Sequence, residues 1–191
     1  MKKIVSIAML AGILSLAACH SEHSESVKSC VDYVNPYIGN VSHLLVPTFP
    51  TVQLPNSMLR IYPERADYTS ERVNGLPIIV TNHRERSAFN LTPTQSEVLS
   101  PVIAYNYDNE EIHPYGFTVE LDDNRMKAEY ALSHQSAIYQ LTFETDKQPY
   151  VLVNTRNGHI KVDGNAISGY QKLDEQTKVY LYIETQETPE L

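Results

Sequence analysis

Short apolar runs separated by turn residues dominate the chain from about residue 56 onward. They have the length of β-strands, and several alternate apolar and polar residues with a period of two. In GFTVEL, for example, Phe117, Val119 and Leu121 alternate with Thr118 and Glu120. The runs are MLRIY, LPIIVTN, PVIAYNY, GFTVEL, RMKAEYAL, SAIYQLTF, PYVLVN, GHIKV and KVYLYIE. Since no stretch shows a sustained helical period with caps, the pattern predicts an all-β, antiparallel β-sandwich.

Turn-forming residues lie between these runs. Asp122-Asp123-Asn124, Asn157-Gly158 and Asp163-Gly164 are combinations typical of hairpin turns. Adjacent acidic residues occur in three places, namely Glu110-Glu111, Asp122-Asp123 and Asp174-Glu175. Because neighbouring strand residues point to opposite faces, these pairs are poor acid–base pairs, and we interpret them as solvated turn charges.

The segment from Val34 to Arg65 has a different composition. It reads VNPYIGNVSHLLVPTFPTVQLPNSMLRIYPER and holds five of the chain's eleven prolines. Proline fixes φ and donates no backbone hydrogen bond, which excludes a helix interior or a central strand. The apolar residues between the prolines are too many for a solvated linker. We therefore predict an extended, wrapping segment that precedes the regular strands.

The first nineteen residues, MKKIVSIAMLAGILSLAAC, have the organisation of a secretion signal. Two lysines precede an apolar stretch, and small residues precede Cys19. LAAC resembles the bacterial lipoprotein box, which implies cleavage before Cys19 and acylation of its sulfur. The alternative is an ordinary signal peptide with an incidental cysteine. Acyl chains would anchor the protein to a membrane, so the expected location is the bacterial periplasm or the cell surface, lipid-anchored.

The chain thus divides into a signal peptide at 1–18, an acylated cysteine with a polar tether at 19–30, and a β-sandwich domain at 31–191. A net charge of −8 argues against nucleic acid as a partner. With Cys19 acylated, Cys30 lacks a disulfide partner, and two cysteines cannot build a Cys-rich zinc site. No second long apolar run is present, so only the lipid anchor is expected to engage the membrane.

A polar cluster, His83-Arg84-Glu85-Arg86, directly follows the apolar run at 76–80. Loops at strand ends often carry binding residues, although a surface ion network explains the cluster equally well. GxSxG, P-loop, dinucleotide and HExxH motifs are absent from the sequence. From the residues alone, no catalytic or metal-binding residue is predicted.

VNPYIGNVSH followed by VPTFPTVQLPNSMLRIYPER resembles the N-terminal signature of family 92 glycoside hydrolases, the calcium-dependent exo-α-mannosidases. Members open with a VNPFIGT-type phrase, continue through a Gly/His-rich loop, and then show FPGA, VPFGM and QLSP phrases. LTPTQ, YGFTVEL, PYVLVN, ISGYQ and VYLYIET follow in the family's order. The resemblance covers roughly residues 31–185.

This resemblance implies the N-terminal β-sandwich of a two-domain glycoside hydrolase. A C-terminal α/α barrel supplies the general acid, the general base and most Ca²⁺ ligands, and the sandwich contributes to the rim of the mannose pocket. Hydrolysis is expected to be inverting, with carboxyl groups about 6.5 to 9.5 Å apart. The sequence stops where a member would continue into the barrel. Ca²⁺ is therefore expected only in the full-length enzyme, and this chain is expected to be inactive alone.

The chain departs from the family's pattern in two loops. VSHLLV at 41–46 replaces the Gly/His-rich loop and loses the glycines that allow close backbone approach to a ligand. VTNHRER loosely matches a later FSHTH-like phrase, with His83 as the nearest equivalent. The resemblance implies that His43, Phe49, His83 and Arg84 face an α-mannoside glycan.

Three functions are compatible with these observations. The first is the N-terminal domain of a lipid-anchored, mannosidase-like enzyme, which predicts an exposed apolar face where the barrel docks. The second is a stand-alone glycan-binding lipoprotein, which predicts a polar surface with affinity for mannosides. The third is a structural or interaction lipoprotein without a sugar site. We favour the first.

Overall fold

The computed structural model describes residues 28–40, 44, 48–65, 70–80, 88–95, 103–122, 125–144 and 147–189. Within these ranges the secondary structure is antiparallel β, apart from a short 3₁₀ helix at Cys30–Tyr33. The strands are β1 (Arg72–Val73), β2 (Leu76–Ile79), β3 (Phe89–Thr94), β4 (Tyr105–His113), β5 (Gly116–Leu121), β6 (Met126–Leu132), β7 (Ala137–Phe143), β8 (Tyr150–Thr155), β9 (Gly158–Asp163), β10 (Ala166–Lys172) and β11 (Lys178–Glu184). The predicted all-β sandwich is confirmed.

Two sheets form the main layers. One has five strands in the order β1-β4-β5-β6-β7, and the other has three in the order β2-β3-β8. Two tyrosine hydroxyls of the larger sheet donate hydrogen bonds to proline carbonyls of the smaller one. Tyr139 bonds Pro77 O at 2.7 Å, and Tyr105 bonds Pro93 O. These bonds fix how the layers face each other.

The core lies between these layers and follows the period-two pattern of the strands. On β5, Phe117, Val119 and Leu121 are all buried. Leu76 on β2 and Leu91 on β3 belong to the same cluster. The other members are Val52, Ile61, Val73, Tyr105, Ile112, Met126, Ala128 and Tyr130. Burying each Val, Leu, Ile, Phe or Met side chain of this cluster stabilises the fold by about 1.5–3 kcal/mol.

The last three strands form a separate antiparallel meander, in the order β11-β10-β9. The predicted Asp163-Gly164 turn joins β9 to β10, and Gly164 takes the left-handed conformation there, with φ +61°. The predicted hairpin at Asn157-Gly158 is wrong. This turn instead connects β8 in one sheet to β9 in another, because β8 pairs with β3.

The proline-rich segment wraps the sandwich before the first strand begins, as predicted. Val52 and Ile61 pair as an isolated bridge and are fully buried in the core. Met58 N donates to His134 O at 2.8 Å, which fastens the segment to the β6–β7 turn. The expected strand MLRIY is therefore reduced to this single bridge, because the surrounding prolines leave few backbone donors for a ladder.

One further prediction was wrong, and one strand was not predicted at all. Glu110-Glu111 lies inside β4 rather than in a turn, and Glu110 is buried against Arg65. β3 contains Pro93 although it is the central strand of its sheet. In the described residues β2 pairs with β3 only through 89–91, so Pro93 faces a neighbouring strand on one side alone.

No helix in the described ranges is long and apolar enough to cross a membrane. The lipoprotein leader predicted at 1–18 and the acylated Cys19 lie outside the described residues.

Candidate functional site

The proline-rich segment is held to the sandwich at its start by a capped 3₁₀ helix. Ser29 Oγ accepts a hydrogen bond from Val31 N, and Asp32 Oδ2 accepts one from Ser29 N at 2.7 Å. The backbone hydrogen bond from Ser29 is the largest cause that lowers the pKa of Asp32. Tyr115 then donates its hydroxyl to Asp32 Oδ1 at 3.2 Å, which ties the helix to the β4–β5 turn.

The first candidate residue, His43, lies in a segment whose two ends are bonded together. Thr48 N donates to Gly39 O at 3.0 Å. Gly39 has φ +89°, a conformation that disfavours other residues, and a Cβ there would approach Thr48 Oγ1 to 3.2 Å. The chain therefore leaves and returns to the sandwich at one point, although His43 itself is outside the described residues.

Phe49 follows directly on the closed end of that segment. Its ring stacks on Tyr62 with the centroids 4.4 Å apart and an interplanar angle of 8°. Thr51 Oγ1 donates to Phe49 O at 2.9 Å, which holds the backbone at this position. Phe49 is half-buried and Tyr62 is buried. Phe49 thus packs against the wrapping segment, and its glycan contact stays a prediction.

His83 and Arg84 lie in a second segment with bonded ends. Ala88 N donates to Ile79 O at 2.9 Å, and Val80 N donates to Arg60 O at 2.8 Å. Both residues are outside the described part of the chain, so their predicted role is untested. The described bonds locate only the points at which this segment leaves and rejoins the sandwich.

The two segments with bonded ends, 40–47 and 81–87, both connect to the backbone around the Val52–Ile61 bridge. The Val52–Ile61 bridge joins the backbone following Phe49 to the backbone following Arg60. Phe49 contacts Tyr62 across this bridge, and Arg60 holds Val80 at the base of the second segment. The sandwich therefore brings Phe49 and the bases of the two segments to one region. This is the region in which the sequence predicted a glycan-facing surface.

The sequence did not predict a buried ion pair at the end of the wrapping segment. Arg65 Nη2 donates to Glu110 Oε1, and the two side chains are only 5% and 8% exposed. The guanidinium of Arg65 also lies over the ring of Tyr107, 4.7 Å from its centroid. Tyr37 donates to the backbone oxygen of Glu110 at 3.3 Å. Burial first, and then the Glu110 carboxylate, raises the pKa of Tyr37.

A bulge in β4 directs Glu110 toward Arg65. The register with β5 shifts between Asp108 and Glu111, and Asn109 takes a left-handed conformation with φ 49°. Bulges re-aim side chains in this way. The Arg65–Glu110 pair was not predicted, because the four consecutive polar residues DNEE at 108–111 indicate a turn rather than a strand. The one available signal was the alternation of Tyr105 and Tyr107 leading into that run.

The meander carries an apolar face that the core does not cover. The pairing of β10 with β9 and β11 places alternate residues of the three strands on one side of the sheet, where Ile167 lies opposite both Val162 and Ile183. We call this side the meander face, and its aliphatic members are Ile160, Val162, Ile167, Val179, Leu181 and Ile183. All six are partly exposed, and none belongs to the core cluster of the described residues.

The described side chains offer no site for a metal ion. No group of three or more His, Cys, Asp or Glu residues converges within the described ranges. Two ion pairs there, Arg65–Glu110 and Arg156–Glu64, instead join different structural elements. Glu64, for example, is paired with Arg156 at 3.5 Å and accepts a hydrogen bond from Asn90 at 3.2 Å.

Comparison with known protein families identifies a relationship for most of the chain. No curated protein matches the chain. A family model, described as the glycosyl hydrolase family 92 N-terminal domain, matches residues 33–190. The match includes the wrapping segment, both segments with bonded ends, both layers of the sandwich and the meander.

Proposed function

The chain belongs to the glycosyl hydrolase family 92 N-terminal domain family, and from this membership we propose that it is the β-sandwich part of a mannosidase-like glycoside hydrolase. Its role is to pack on a catalytic α/α barrel and to shape the rim of an α-mannoside pocket. The barrel carries the catalytic acid and base. As the family resemblance implies, we assign the family's Ca²⁺ to the barrel as well.

The meander face is the observation that carries this proposal. A sheet face of six aliphatic side chains is normally covered by a second layer. On β5 the core-facing residues Phe117, Val119 and Leu121 are at most 3% exposed, whereas every aliphatic residue of the meander face is partly exposed. Soluble domains rarely leave such a patch open unless a partner covers it. We assign the catalytic barrel as that partner.

A binding experiment tests this assignment. Leu181→Glu introduces a charge into the meander face, and Tyr180→Glu introduces the same charge on the opposite side of the same strand. Tyr180 is 73% exposed, which makes it a matched control. The probe is a purified family 92 catalytic barrel, and sedimentation velocity measures the complex.

We expect Leu181→Glu to weaken the complex at least tenfold, because an unpaired carboxylate in an apolar interface is strongly unfavourable. Tyr180→Glu should leave it unchanged, and both variants should keep the urea midpoint of the unmodified chain. Equal binding by the two variants would refute the meander face as the docking site.

Activity provides a separate prediction. The 191-residue chain, incubated alone with p-nitrophenyl α-mannoside and Ca²⁺, should release no mannose, since the proposed acid and base belong to the barrel. Addition of the barrel should restore hydrolysis. Ca²⁺-dependent release of mannose without the barrel would contradict the assignment of the catalytic acid and base to the barrel.

We also propose that the domain is lipid-anchored through Cys19, in the bacterial periplasm or at the cell surface. The basis is the LAAC sequence at the end of an apolar leader. Mass spectrometry of the N-terminal peptide should find diacylglycerol on the Cys19 sulfur. Cys19→Ser should move the protein from the membrane fraction to the soluble fraction. An unmodified Cys19 in a membrane-free protein would contradict the anchor.

A further inference from the structure

A groove crosses the outer face of the five-stranded sheet, on the side opposite the core. Alternate residues of β4, β5, β6 and β7 line it, and its volume is about 310 Å³. The wrapping segment and the meander contribute no residue to its lining. The groove is therefore separate from the glycan-facing region and from the meander face described above.

The floor of the groove is a row of small residues. Gly116 pairs with His113 on one side and with Ala131 on the other, and Ala131 pairs with Ile138. A Cβ on Gly116 would lie 2.4 Å from Tyr130 O, so only glycine fits there. Ile138 is 69% exposed and forms one apolar wall.

The other wall is a fixed pair of aromatic rings. His113 and Tyr115 stack in parallel, with centroids 5.1 Å apart and an interplanar angle of 2°. The hydroxyl of Tyr115 is bonded to Asp32, which is itself held in the capped 3₁₀ helix. This bond restrains the ring, so the wall is ordered before any ligand arrives.

A second row of side chains, next to the floor, can form hydrogen bonds. Register brings Glu111 opposite Thr118, Thr118 opposite Glu129, and Glu129 opposite Gln140. With strands about 4.8 Å apart, the row spans about 14 Å. Among the described residues, Glu111, Thr118 and Gln140 have no side-chain partner, whereas Glu129 is bonded to Lys127 at 2.9 Å.

We propose that this groove binds a neutral glycan. A pyranose ring would lie on the small floor, with its apolar C–H face against the His113–Tyr115 wall. Its hydroxyls, which both donate and accept, suit the row of carboxylate, hydroxyl and amide groups. This site is distinct from the pocket rim of the proposed function and does not depend on the barrel.

The charges in the groove decide against other ligands. Two glutamates and a single nearby lysine disfavour phosphate, sulfate or uronate groups. No described group of side chains there could hold a metal ion. An organic cation is the strongest rival, since rings and carboxylates attract ammonium groups. However, Lys127 already neutralises Glu129, which leaves only Glu111 without a counter-charge.

Chemical-shift mapping tests the proposal with the 191-residue chain in mild detergent. The probes are methyl α-D-mannopyranoside, methyl β-D-glucopyranoside and, as the rival cation, putrescine. We expect a pyranoside to shift the amides of Gly116, Thr118 and Ala131 in a saturable manner. Gln140→Ala should weaken this binding about tenfold by removing one hydrogen-bonding group.

A matched control lies on the same outer face of β7, two residues further along the strand. Thr142→Ala shortens an exposed side chain outside the groove and should leave binding unchanged. No saturable shift with either pyranoside would overturn the proposal, as would binding of putrescine alone. Equal affinity of the Gln140→Ala and Thr142→Ala variants would also overturn it. Because the groove is separate from the meander face, a failure of Leu181→Glu to weaken barrel binding would not contradict glycan binding in the groove.

Discussion

At the scale of single residues, the Arg65–Glu110 pair should be sensitive to mutation. Glu110→Gln leaves a buried guanidinium without its counter-charge, and we expect a loss of about 3–5 kcal/mol in the free energy of unfolding. Urea denaturation measures this loss. The control is Asp163→Asn in the Lys161–Asp163 pair, whose side chains are 64% and 78% exposed. The control should barely move the midpoint, and a similar result for Glu110→Gln would show that the pair is not buried.

Two buried tyrosine hydroxyls provide a second comparison. The Tyr139 hydroxyl is buried, although part of its ring is exposed, and it donates to Pro77 O at 2.7 Å. Tyr130 is 4% exposed, and its hydroxyl has no partner among the described residues. Tyr139→Phe should cost about 1 kcal/mol, while Tyr130→Phe should be neutral or stabilising. Equal effects on the urea midpoint would contradict the assigned hydrogen bonding.

Individual site residues were only partly predictable. Phe49 was identified by resemblance, and the structure shows why it is held in place, namely by its stack on Tyr62. Glu110 was misassigned to a turn, since burial of a carboxylate depends on a partner 45 residues away. Local sequence patterns carry no information about such distant partners. His43, His83 and Arg84 stay predictions.

At the scale of elements, strands whose two faces differ in exposure were predictable. β5 and β11 have the bounds that their alternating patterns predicted. β3 was missed because both of its faces are buried, so its side chains do not alternate in exposure. It also has polar residues inside, such as Thr92 at 0% and Thr94 at 1% exposure. Periodicity cannot reveal a strand of this kind.

The β1–β2 connection depends on a glycine. Gly75 has φ +104°, and a Cβ there would lie 2.4 Å from Asn90 Oδ1. Asn90 bonds Glu64 and accepts a hydrogen bond from Thr92 at 2.8 Å. Gly75→Ala should therefore lower the free energy of unfolding by about 2–4 kcal/mol.

Gly164→Ala is the matched control for this prediction. Gly164 also has a positive φ, +61°, but a Cβ there meets nothing within 4 Å. Backbone strain alone should cost about 1 kcal/mol. If both alanine variants lose the same stability in urea, the contact with Asn90 has no measurable effect.

At the scale of the whole molecule, buried tyrosines should make the fold sensitive to alkali. Burial raises the pKa of Tyr105, Tyr130 and Tyr139 above the ordinary value of 10.0. Above pH 10 the unfolded chain therefore releases protons that the folded chain retains. Stability is constant below this pH with respect to these groups and falls above it, by up to about 1.4 kcal/mol per pH unit for one fully buried group.

Urea midpoints at pH 8, 10 and 11 measure this loss, and absorbance at 295 nm reports tyrosinate formation. The Tyr130→Phe/Tyr139→Phe double variant should show a smaller decrease in stability between pH 10 and 11. An identical decrease in the unmodified chain and in the double variant would refute the assignment to these hydroxyls.

The architecture as a whole was more predictable than its internal connections. The turn signals and strand lengths indicated an antiparallel sandwich, and the prolines indicated a wrapping segment. The division into two layers and a meander was not apparent, because Asn157-Gly158 resembles an ordinary hairpin turn. Which strands share a sheet is decided by pairing between distant residues, such as Leu91 on β3 with Val153 on β8.

The bonds at Gly39–Thr48 and Ile79–Ala88 have a consequence for how this domain can diversify. Each bond closes a segment at its base, so the intervening residues can change without altering the strands. Even doubling the length of such a segment costs only about 0.6 kcal/mol of closure entropy. Residues 40–47 or 81–87 can thus be replaced as units, and such a replacement would change the glycan specificity that we propose for this region. The glycine-poor VSHLLV sequence would then be one such exchange on an unchanged scaffold.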